Sequence, residues 1–327
     1  MYQATELVCE GFGGPDTLRP RLRPLEKPRS GEVLVRQTAI GVNFIDTMQR
    51  RGLVPGLETP FVPGFESAGI IEAIGPDAQG LEVGQRVAVF RMRPGAYADR
   101  VLVPCDRVVA LPPQVDDRQA ASLLFKGLTA QYLLRRTTQI GPGSRIVIHA
   151  AAGGVGQILA RWARSLGAEV FGTAGSTAKV DSALKAGCMA CVDYSQSGWE
   201  DELAALLGPE KADVVYDSVG AATFMKSLNL VRRFGLVVVF GGASGPAPAV
   251  TPEELNRHGC LFLTRPSVFP HNDTAQTLRR NAADLLEAVA AGTIFADVGL
   301  ELPLSDAATA HAELEARRTA GSIVLKA

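Results

Sequence analysis

A glycine-rich turn between a short apolar strand and an amphipathic helix is the feature that most constrains the fold of this 327-residue chain. The segment reads RIVIHAAAGGVGQILARWARSLGAEVFGTAG, and Ala151, Gly153 and Gly156 take the three positions of a G-x-G-x-x-G fingerprint. Small residues are needed there because the backbone must turn sharply and approach a pyrophosphate at a helix N-terminus. The turn follows one strand and precedes another, which favours a dinucleotide-binding βαβ unit over a turn without a ligand. The expected contacts are Ala152, Gly153, Gly154, Val155 and Gly156.

The residues just after the second strand of this unit indicate which dinucleotide is bound. Enzymes that use NAD usually place Asp or Glu there to bind the ribose 2′-hydroxyl. This chain reads GTAGSTAK over residues 172–179, without an acid, so nothing repels a 2′-phosphate. Gly175 leaves room, while Ser176 and Lys179 supply a donor and a cation. The pattern therefore predicts NADPH, although Lys179 taken alone is also typical of a solvated helix lysine.

The pattern of apolar residues changes along the chain and predicts an α/β protein of about two domains. The first third is β-rich, with runs such as GEVLVRQTAIGVN, SAGIIEAIG and GQRVAVF between Gly and Pro turns. From about Ala120, helices such as GQILARWARSLG, DSALKAG and MKSLNLVRRFG alternate with short strands that are apolar on both faces. Such strands are typical of a parallel sheet covered on both sides. The tail adds two helices and a final strand.

Charge and cysteine usage exclude several classes of function. The 33 basic and 34 acidic side chains give a formal charge of −1, which offers no attraction to nucleic acid or anionic lipid. No apolar stretch reaches the ~20 residues of a membrane span, and the N-terminus lacks a secretory pattern, so we expect a cytoplasmic protein. The five cysteines are scattered, as reduced thiols usually are. Cys188 and Cys191 form a C-x-x-C without a second pair, which favours small buried residues over a redox or metal site.

Several segments together closely resemble one family. AIGVNFIDTMQRRG, PFVPGFESAGIIEAIG, FKGLTAQYLLRR, HAAAGGVG, VVYDSVG and FLTRPS are similar to the quinone oxidoreductases related to zeta-crystallin, in the medium-chain dehydrogenase/reductase superfamily. The resemblance implies a GroES-like β-barrel catalytic domain from residues 1–127 and 263–327. It also implies an inserted Rossmann domain, a doubly wound parallel sheet, over residues 128–262. NADPH as electron donor, quinones or related electrophilic alkenes as acceptors, and a homodimer follow from the same resemblance.

The same comparison predicts a zinc-independent enzyme. The alcohol dehydrogenases of the superfamily have Cys where this chain has Asn43, and a Gly-His-Glu where it has Gly64-Phe65-Glu66. Their four-cysteine lobe would fall between about residues 90 and 105, where this chain has Cys105 alone. Without Cys or His ligands no tetrahedral zinc site can form.

Three residues are expected in the catalytic site. Asn43 stands at the former ligand position and is a candidate donor to the developing charge on the acceptor oxygen, or else a loop or cofactor-amide contact. By resemblance Asp46 lines the nicotinamide side and Thr129 lies near the nicotinamide; a helix N-terminal acid and a packed threonine are the alternatives. Relatives often have Tyr where this chain has Met48, so a phenol donor is missing here.

Family resemblance also assigns cofactor contacts further along the chain. These positions are Tyr194 beside the adenosine phosphate, Ser218 after the fourth Rossmann strand, Phe240 and Gly241 after the fifth, and Arg265 at the cofactor or the cleft. Simple packing is the alternative for Tyr194, and an interdomain salt bridge for Arg265. His149 and His311 are interpreted as structural side chains, and Lys126 as non-catalytic.

The residues leave two alternative functions open, and they also predict a homodimer. A 2-enoyl-thioester or enone reductase would use the same scaffold, and so would an NADPH-binding protein with little turnover, crystallin-like or RNA-associated. The run GCLFLTRP, with Leu261, Phe262 and Leu263, predicts an edge strand of the Rossmann sheet through which two chains form a homodimer. The alternative is an edge covered by the tail helices.

Overall fold

The computed structural model describes residues 2–78 and 80–327. The chain divides into two compact units, one that runs to Leu128 and resumes over Phe269–Ala327, and one over Thr129–Val268. The first unit is thus assembled from both ends of the chain and the second is continuous. The domain boundaries expected from the resemblance remain a proposal.

The strands of the first unit, numbered along the chain, form an antiparallel ribbon and a larger sheet. The ribbon pairs β1 with β2, and the sheet has the order β14-β15-β3-β4-β5-β7, with β6 paired to β3. Their bounds are β1 Tyr2–Cys9, β2 Leu18–Leu25, β3 Glu32–Val42, β4 Glu66–Ile74, β5 Arg86–Phe90, β6 Arg100–Pro104, β7 Val108–Ala110, β14 Val298–Pro303 and β15 Ser322–Lys326. β3 pairs with β6 over residues 32–36 and with β15 over residues 39–42, so it passes from one partner to another. Inward-facing valines and isoleucines of β3 to β7 form the core of the sheet.

Two helices of the first unit, α1 and α9, begin at capping residues with extended backbone. Asn43 is extended, with φ −124° and ψ 153°, and α1 begins after it. Thr274 accepts a hydrogen bond from the backbone N–H of Thr277 and starts α9. The bounds are α1 Phe44–Arg50, α2 Asp117–Tyr132, α8 Val268–His271, α9 Ala275–Ala290 and α10 Ala307–Glu315. α2 continues into the second unit, and α8 begins at the last residue of that unit.

The second unit is a parallel sheet with helices between its strands. The sheet order is β10-β9-β8-β11-β12-β13, which is the doubly wound Rossmann order and confirms the expected parallel-sheet fold. The bounds are β8 Arg145–Ile148, α3 Gly154–Ser165, β9 Glu169–Ala174, α4 Thr177–Lys185, β10 Ala190–Asp193, α5 Trp199–Leu207, β11 Ala212–Asp217, α6 Phe224–Leu230, β12 Val231–Val239, α7 Pro252–Arg257 and β13 Phe262–Thr264. Because β9 and β11 lie on opposite sides of β8, the winding reverses at β8, and ligands of such sheets bind at this point.

One predicted helix is shorter than expected. The segment MKSLNLVRRFG was predicted to be helical throughout, but α6 ends at Leu230 and β12 begins at Val231. Val231 already pairs with Ala212, and the register then shifts before Val214 pairs with Leu236. The run of β-branched residues that follows favours the strand, and Phe234, with φ +58°, accommodates the irregularity. The apolar period alone could not locate this change. No helix in the described part of the chain is long and apolar enough to cross a membrane.

Candidate functional site

A buried ion pair lies beside the first candidate residue, Asn43. The Lys126 Nζ donates to Glu66 Oε1 at 2.9 Å, and the Asn43 Nδ2 donates to the same oxygen at 2.8 Å. The backbone N–H of Phe125 donates to Glu66 Oε2 at 2.6 Å. Glu66 is fully buried and the Lys126 side chain is 7% exposed, so the two charges compensate each other away from water. Glu66 therefore fixes the rotamer of Asn43 and leaves the second N–H of its amide for another acceptor.

Asp46, the second candidate, is a fully buried carboxyl on the first turn of α1. Its Oδ2 accepts hydrogen bonds from the backbone N–H of Asn43 at 2.8 Å and from the Tyr97 hydroxyl at 3.2 Å. Its Oδ1 has no hydrogen-bond partner among the described residues. Burial disfavours the charged form and raises the pKa of Asp46 to about 7, against which those two hydrogen bonds and the charge of Lys126 act. This carboxyl therefore changes its protonation state near neutral pH.

A chain of hydrogen bonds connects Arg50 to Asp46 through His311 and Tyr97, and each group donates to the next in the same direction. The Arg50 Nε lies 3.2 Å from His311 Nδ1 and can only donate, so the imidazole proton sits on Nε2. That nitrogen is 3.0 Å from the Tyr97 hydroxyl, which in turn donates to Asp46. Burial and the charge of Arg50 lower the pKa of His311 to about 3, so the ring stays neutral. The three links from Arg50 through His311 and Tyr97 therefore all donate toward Asp46. Outside this path, Arg50 donates to the carboxylate of Glu315 at 2.6 Å.

The glycine-rich turn of the second unit has the geometry of a phosphate cradle. Gly153 is the N-cap of α3, with φ −76° and ψ 169°, and no side chain caps the helix. The N–H groups of the first turn therefore have no intrahelical acceptor and are free for an anion. A Cβ on Gly156 would overlap the carbonyl oxygen of Ala150 and the Cα of Ala151, so only glycine lets α3 start this close to the strand. Gly154, Val155 and the buried Ala152 belong to the same turn.

The residues expected at the adenosine end meet after β9. Gly175 is exposed, and a Cβ there would lie 3.0 Å from the Tyr194 hydroxyl, so this glycine keeps space beside the tyrosine. Ser176 is the N-cap of α4 without a side-chain cap hydrogen bond, and Lys179 is half-buried in the first turn. One acid is close by: Asp193 ends β10, where it accepts hydrogen bonds from Ser195 and Thr177.

The carboxyl ends of β11 and β12 approach each other on the opposite side of β8 from β9. The Ser218 hydroxyl donates to the carbonyl oxygen of His149 at 3.3 Å, and Phe240 N–H donates to the carbonyl oxygen of Asp217 at 2.9 Å. A Cβ on Gly241 would lie 2.6 Å from the carbonyl oxygen of Ser218, so glycine is required for this approach. Backbone groups here are within reach of a ligand at the carboxyl ends of the strands.

The structure thus brings Asn43 and Asp46 together in the first unit, and the expected cofactor contacts line the strand ends of the second. Thr129 is buried on α2 at the start of the second unit, and Arg265 is exposed directly after β13. Sequence reasoning missed Glu66 and Tyr97 and gave Lys126 and His311 no part in the site. A charged residue such as Glu66 at the head of an apolar strand was the available signal, because it needs a buried partner. Within residues 2–78 and 80–327, no three His, Cys, Asp or Glu side chains form a group that could hold a metal ion.

Comparison with known proteins gives matches along the whole chain. The alcohol dehydrogenase GroES-like domain family matches residues 29–113, and the zinc-binding dehydrogenase family matches residues 154–288. A 2-haloacrylate reductase from a Burkholderia species is 40% identical over 324 residues, which is 97% of each chain. A quinone oxidoreductase from Pseudomonas aeruginosa is 41% identical over 322 residues, 98% of this chain and 99% of that one. The solved structure of Escherichia coli quinone oxidoreductase complexed with NADPH superimposes with a TM-score of 0.95 at 39% identity, covering 99% of this chain and 100% of the other.

Proposed function

The chain belongs to the quinone oxidoreductases of the medium-chain dehydrogenase/reductase superfamily, with their GroES-like and Rossmann domains, and from this premise we propose that it is an NADPH-dependent quinone reductase. The observation that carries the proposal is the full-length likeness to a quinone oxidoreductase structure that contains NADPH. The expected reaction is a transfer of two electrons as hydride, followed by a proton, to give the hydroquinone.

The second unit fits the cofactor. The uncapped first turn of α3 and the close approach allowed by Gly156 suit a pyrophosphate. Tyr194 would lie beside the adenosine end, and Ser218, Phe240 and Gly241 would contact the nicotinamide half, with Arg265 closing over it. When bound, NADPH supplies the hydride. The protein's part is to orient it, exclude water and supply donors.

Preference for NADPH over NADH is proposed to depend on Ser176 and Lys179. Lys179→Glu should weaken NADPH binding by roughly 1–3 kcal/mol and leave NADH nearly unchanged, because one charge-assisted contact to the 2′-phosphate is lost. Lys185→Glu, on the last turn of the same helix, is the matched control for net charge. Equal losses for both cofactors would show that Lys179 does not read the phosphate.

On the acceptor side, Asn43 is proposed to stabilise the oxygen that gains charge. Glu66 holds the amide, and the remaining N–H of Asn43 would donate to that oxygen. Asp46, with a pKa of about 7, is proposed to hold the proton that completes the reduction. Thr129 is proposed as a nicotinamide contact.

Zinc chemistry is not part of the proposal, because an amide at position 43 and a phenyl ring at position 65 do not suit zinc. Elemental analysis should find zinc well below one equivalent. Activity that is lost with a chelator and restored by zinc would contradict this.

Reduction of an activated alkene is the second candidate, since the Burkholderia relative is a 2-haloacrylate reductase. The two are separated by steady-state NADPH oxidation with 1,4-benzoquinone, 2-chloroacrylate, enals and enoyl thioesters. Turnover with 1,4-benzoquinone at least tenfold above the alkenes supports the first proposal, and the reverse ratio supports the second. NADPH binding without turnover of any acceptor would leave a binding protein.

We also propose a homodimer through β13. Phe262 is 62% exposed and Leu263 is 38% exposed on this edge strand, which pairs with β12 on one side. Sedimentation equilibrium should give a dimer that dissociates in Phe262→Asp but persists in the control Leu206→Asp, an exposed position on α5. A monomeric wild type would refute the proposal.

The free thiols of the five cysteines support a reducing compartment, and we propose that the protein is located in the cytoplasm.

A further inference from the structure

A cavity of about 780 Å³ lies within the first unit, and neither Asn43 nor Asp46 lines it. It lies among the turn before β3, the segment after β5, the end of β6 and the first turns of α9, and its lining includes Gly31, Arg91, Met92 and Val103. None of the residues of the buried network around Asn43 lines it. The volume falls within the range of ~300–1,000 Å³ found for small-molecule sites.

Arg91 is the unexplained group in this cavity. Its Nε is buried and has no hydrogen-bond partner, and its guanidinium has no ion-pair partner among the described residues. The group packs against Gly95, where a Cβ would lie 2.8 Å from one terminal nitrogen. Burial, with a smaller contribution from Arg23, lowers the pKa of Arg91 to about 10, so the side chain is still charged at neutral pH. Arg91 as a whole is half-buried, but its Nε–H is withdrawn from water, and such a group is normally compensated by an anion or by a hydrogen-bond acceptor.

The neighbouring charges leave Arg91 uncompensated. Arg107 is fully engaged, since it donates to the carbonyl oxygens of Asn272 and Asp273 at 2.8 Å each and pairs with Asp106. The Asp77 carboxylate accepts a hydrogen bond from the Ser30 hydroxyl at 2.7 Å. The lining carries four arginines and three aspartates, Arg91, Arg93, Arg107, Arg279, Asp77, Asp106 and Asp273, so positive charge is in excess.

We propose that this cavity is a second ligand site, which binds an organic anion through a carboxylate or phosphate paired with Arg91. A guanidinium binds either group through two parallel N–H donors, which would satisfy the buried Nε. The apolar part of the ligand lies against Met92, which is 37% exposed, and Val103. Arg93 and Arg279, both exposed, add attraction at the rim.

The test is calorimetric titration of the full chain with benzoate and with phenyl phosphate, in saturating NADPH so that the turn before α3 does not take the anion. Benzamide is the uncharged control for benzoate. We expect one equivalent of each anion to bind and benzamide to bind at least tenfold more weakly. Preference for phenyl phosphate over benzoate, or the reverse, tells which anionic group the site takes.

Three variants decide whether Arg91 is responsible. Arg91→Met should weaken both anions about tenfold or more, as loss of a charge-assisted contact does, while Arg19→Met, an exposed arginine on β2, should leave affinity unchanged. The double variant Arg93→Met/Arg279→Met, at exposed positions, should weaken binding severalfold, and it serves if Arg91→Met does not fold. Absence of anion binding at millimolar concentration, or equal binding of benzamide, would overturn the proposal. Unchanged affinity in folded Arg91→Met would also overturn it, as would unchanged affinity in the double variant if Arg91→Met does not fold.

Discussion

Replacing Asp46 with asparagine should make the stability of the protein much less dependent on pH. The carboxyl is fully buried, and its pKa rises from 3.8 to about 7 on folding. An asparagine oxygen can accept the same two hydrogen bonds, from Asn43 N–H and the Tyr97 hydroxyl, that Asp46 Oδ2 accepts. The substitution therefore removes the titration while keeping most of the local geometry.

The size and sign of the pH effect on unfolding free energy follow from the shift in the pKa of Asp46. Because the folded state holds the proton more tightly than the unfolded state, stability is greatest below the unfolded pKa and falls as pH rises through the folded pKa. A shift of about three units corresponds to roughly 4 kcal/mol, of which about 2.5 kcal/mol is lost between about pH 5 and pH 8. Asp46→Asn should lack this loss, although its buried amide donors make it less stable at the acidic end.

Urea denaturation followed by far-ultraviolet circular dichroism at several pH values measures the difference. Asp16→Asn, an exposed aspartate of the first unit, controls for the removal of one negative charge. The informative quantity is the slope of unfolding free energy against pH rather than its value at one pH. If wild type and Asp46→Asn lose stability in parallel, the pH dependence belongs to other groups and the assignment to Asp46 is refuted.

Three other substitutions test contacts of the buried network and of the glycine-rich turn. Lys126→Met should cost about 3–5 kcal/mol in unfolding free energy because Glu66 stays buried without its partner; Lys126→Arg is the control, and a loss below about 1 kcal/mol would contradict the ion pair's importance. Gly156→Val should abolish NADPH binding in fluorescence titrations, whereas an unchanged dissociation constant would show that α3 tolerates a side chain. Tyr97→Phe removes a hydrogen bond that lowers the pKa of Asp46, so the midpoint of the pH-dependent stability loss should move above that of wild type; a midpoint that moves down would reverse the proposed role of the hydroxyl.

The parts of the fold that sequence predicted well are those determined locally. The glycine turn is readable because Gly153 and Gly156 must be small for reasons of backbone geometry within one βαβ unit. The parallel strands are readable because they are apolar on both faces. The end of α6 was not readable from the sequence, since Leu230 and Val231 fit an apolar helical period as well as a strand. The pairing of Val231 with β11 determines that the strand begins there.

The candidate site was predicted in part, because its contacts join distant positions. Asn43 and Asp46 stand in one motif, but Glu66 meets Lys126 across 60 positions and Tyr97 meets His311 across 214. Nothing in the local pattern of either pair indicates its partner. Their hydrogen bonds follow from the barrel's register, which sequence periodicity does not supply.

The origin of the first unit from both ends of the chain has a consequence for biosynthesis. β3 pairs with β15 through residues such as Val42 and Ile323, which are 281 positions apart. At about 5–20 residues per second, the ribosome needs roughly 15–55 s to supply that partner. The continuous second unit leaves the ribosome in the meantime, so we expect it to fold while β3 still has an open, apolar edge that invites association or chaperone binding. Limited proteolysis of ribosome-bound chains stalled before residue 322 should find the second unit protected and β3 cleavable, and equal protection of both would refute this order.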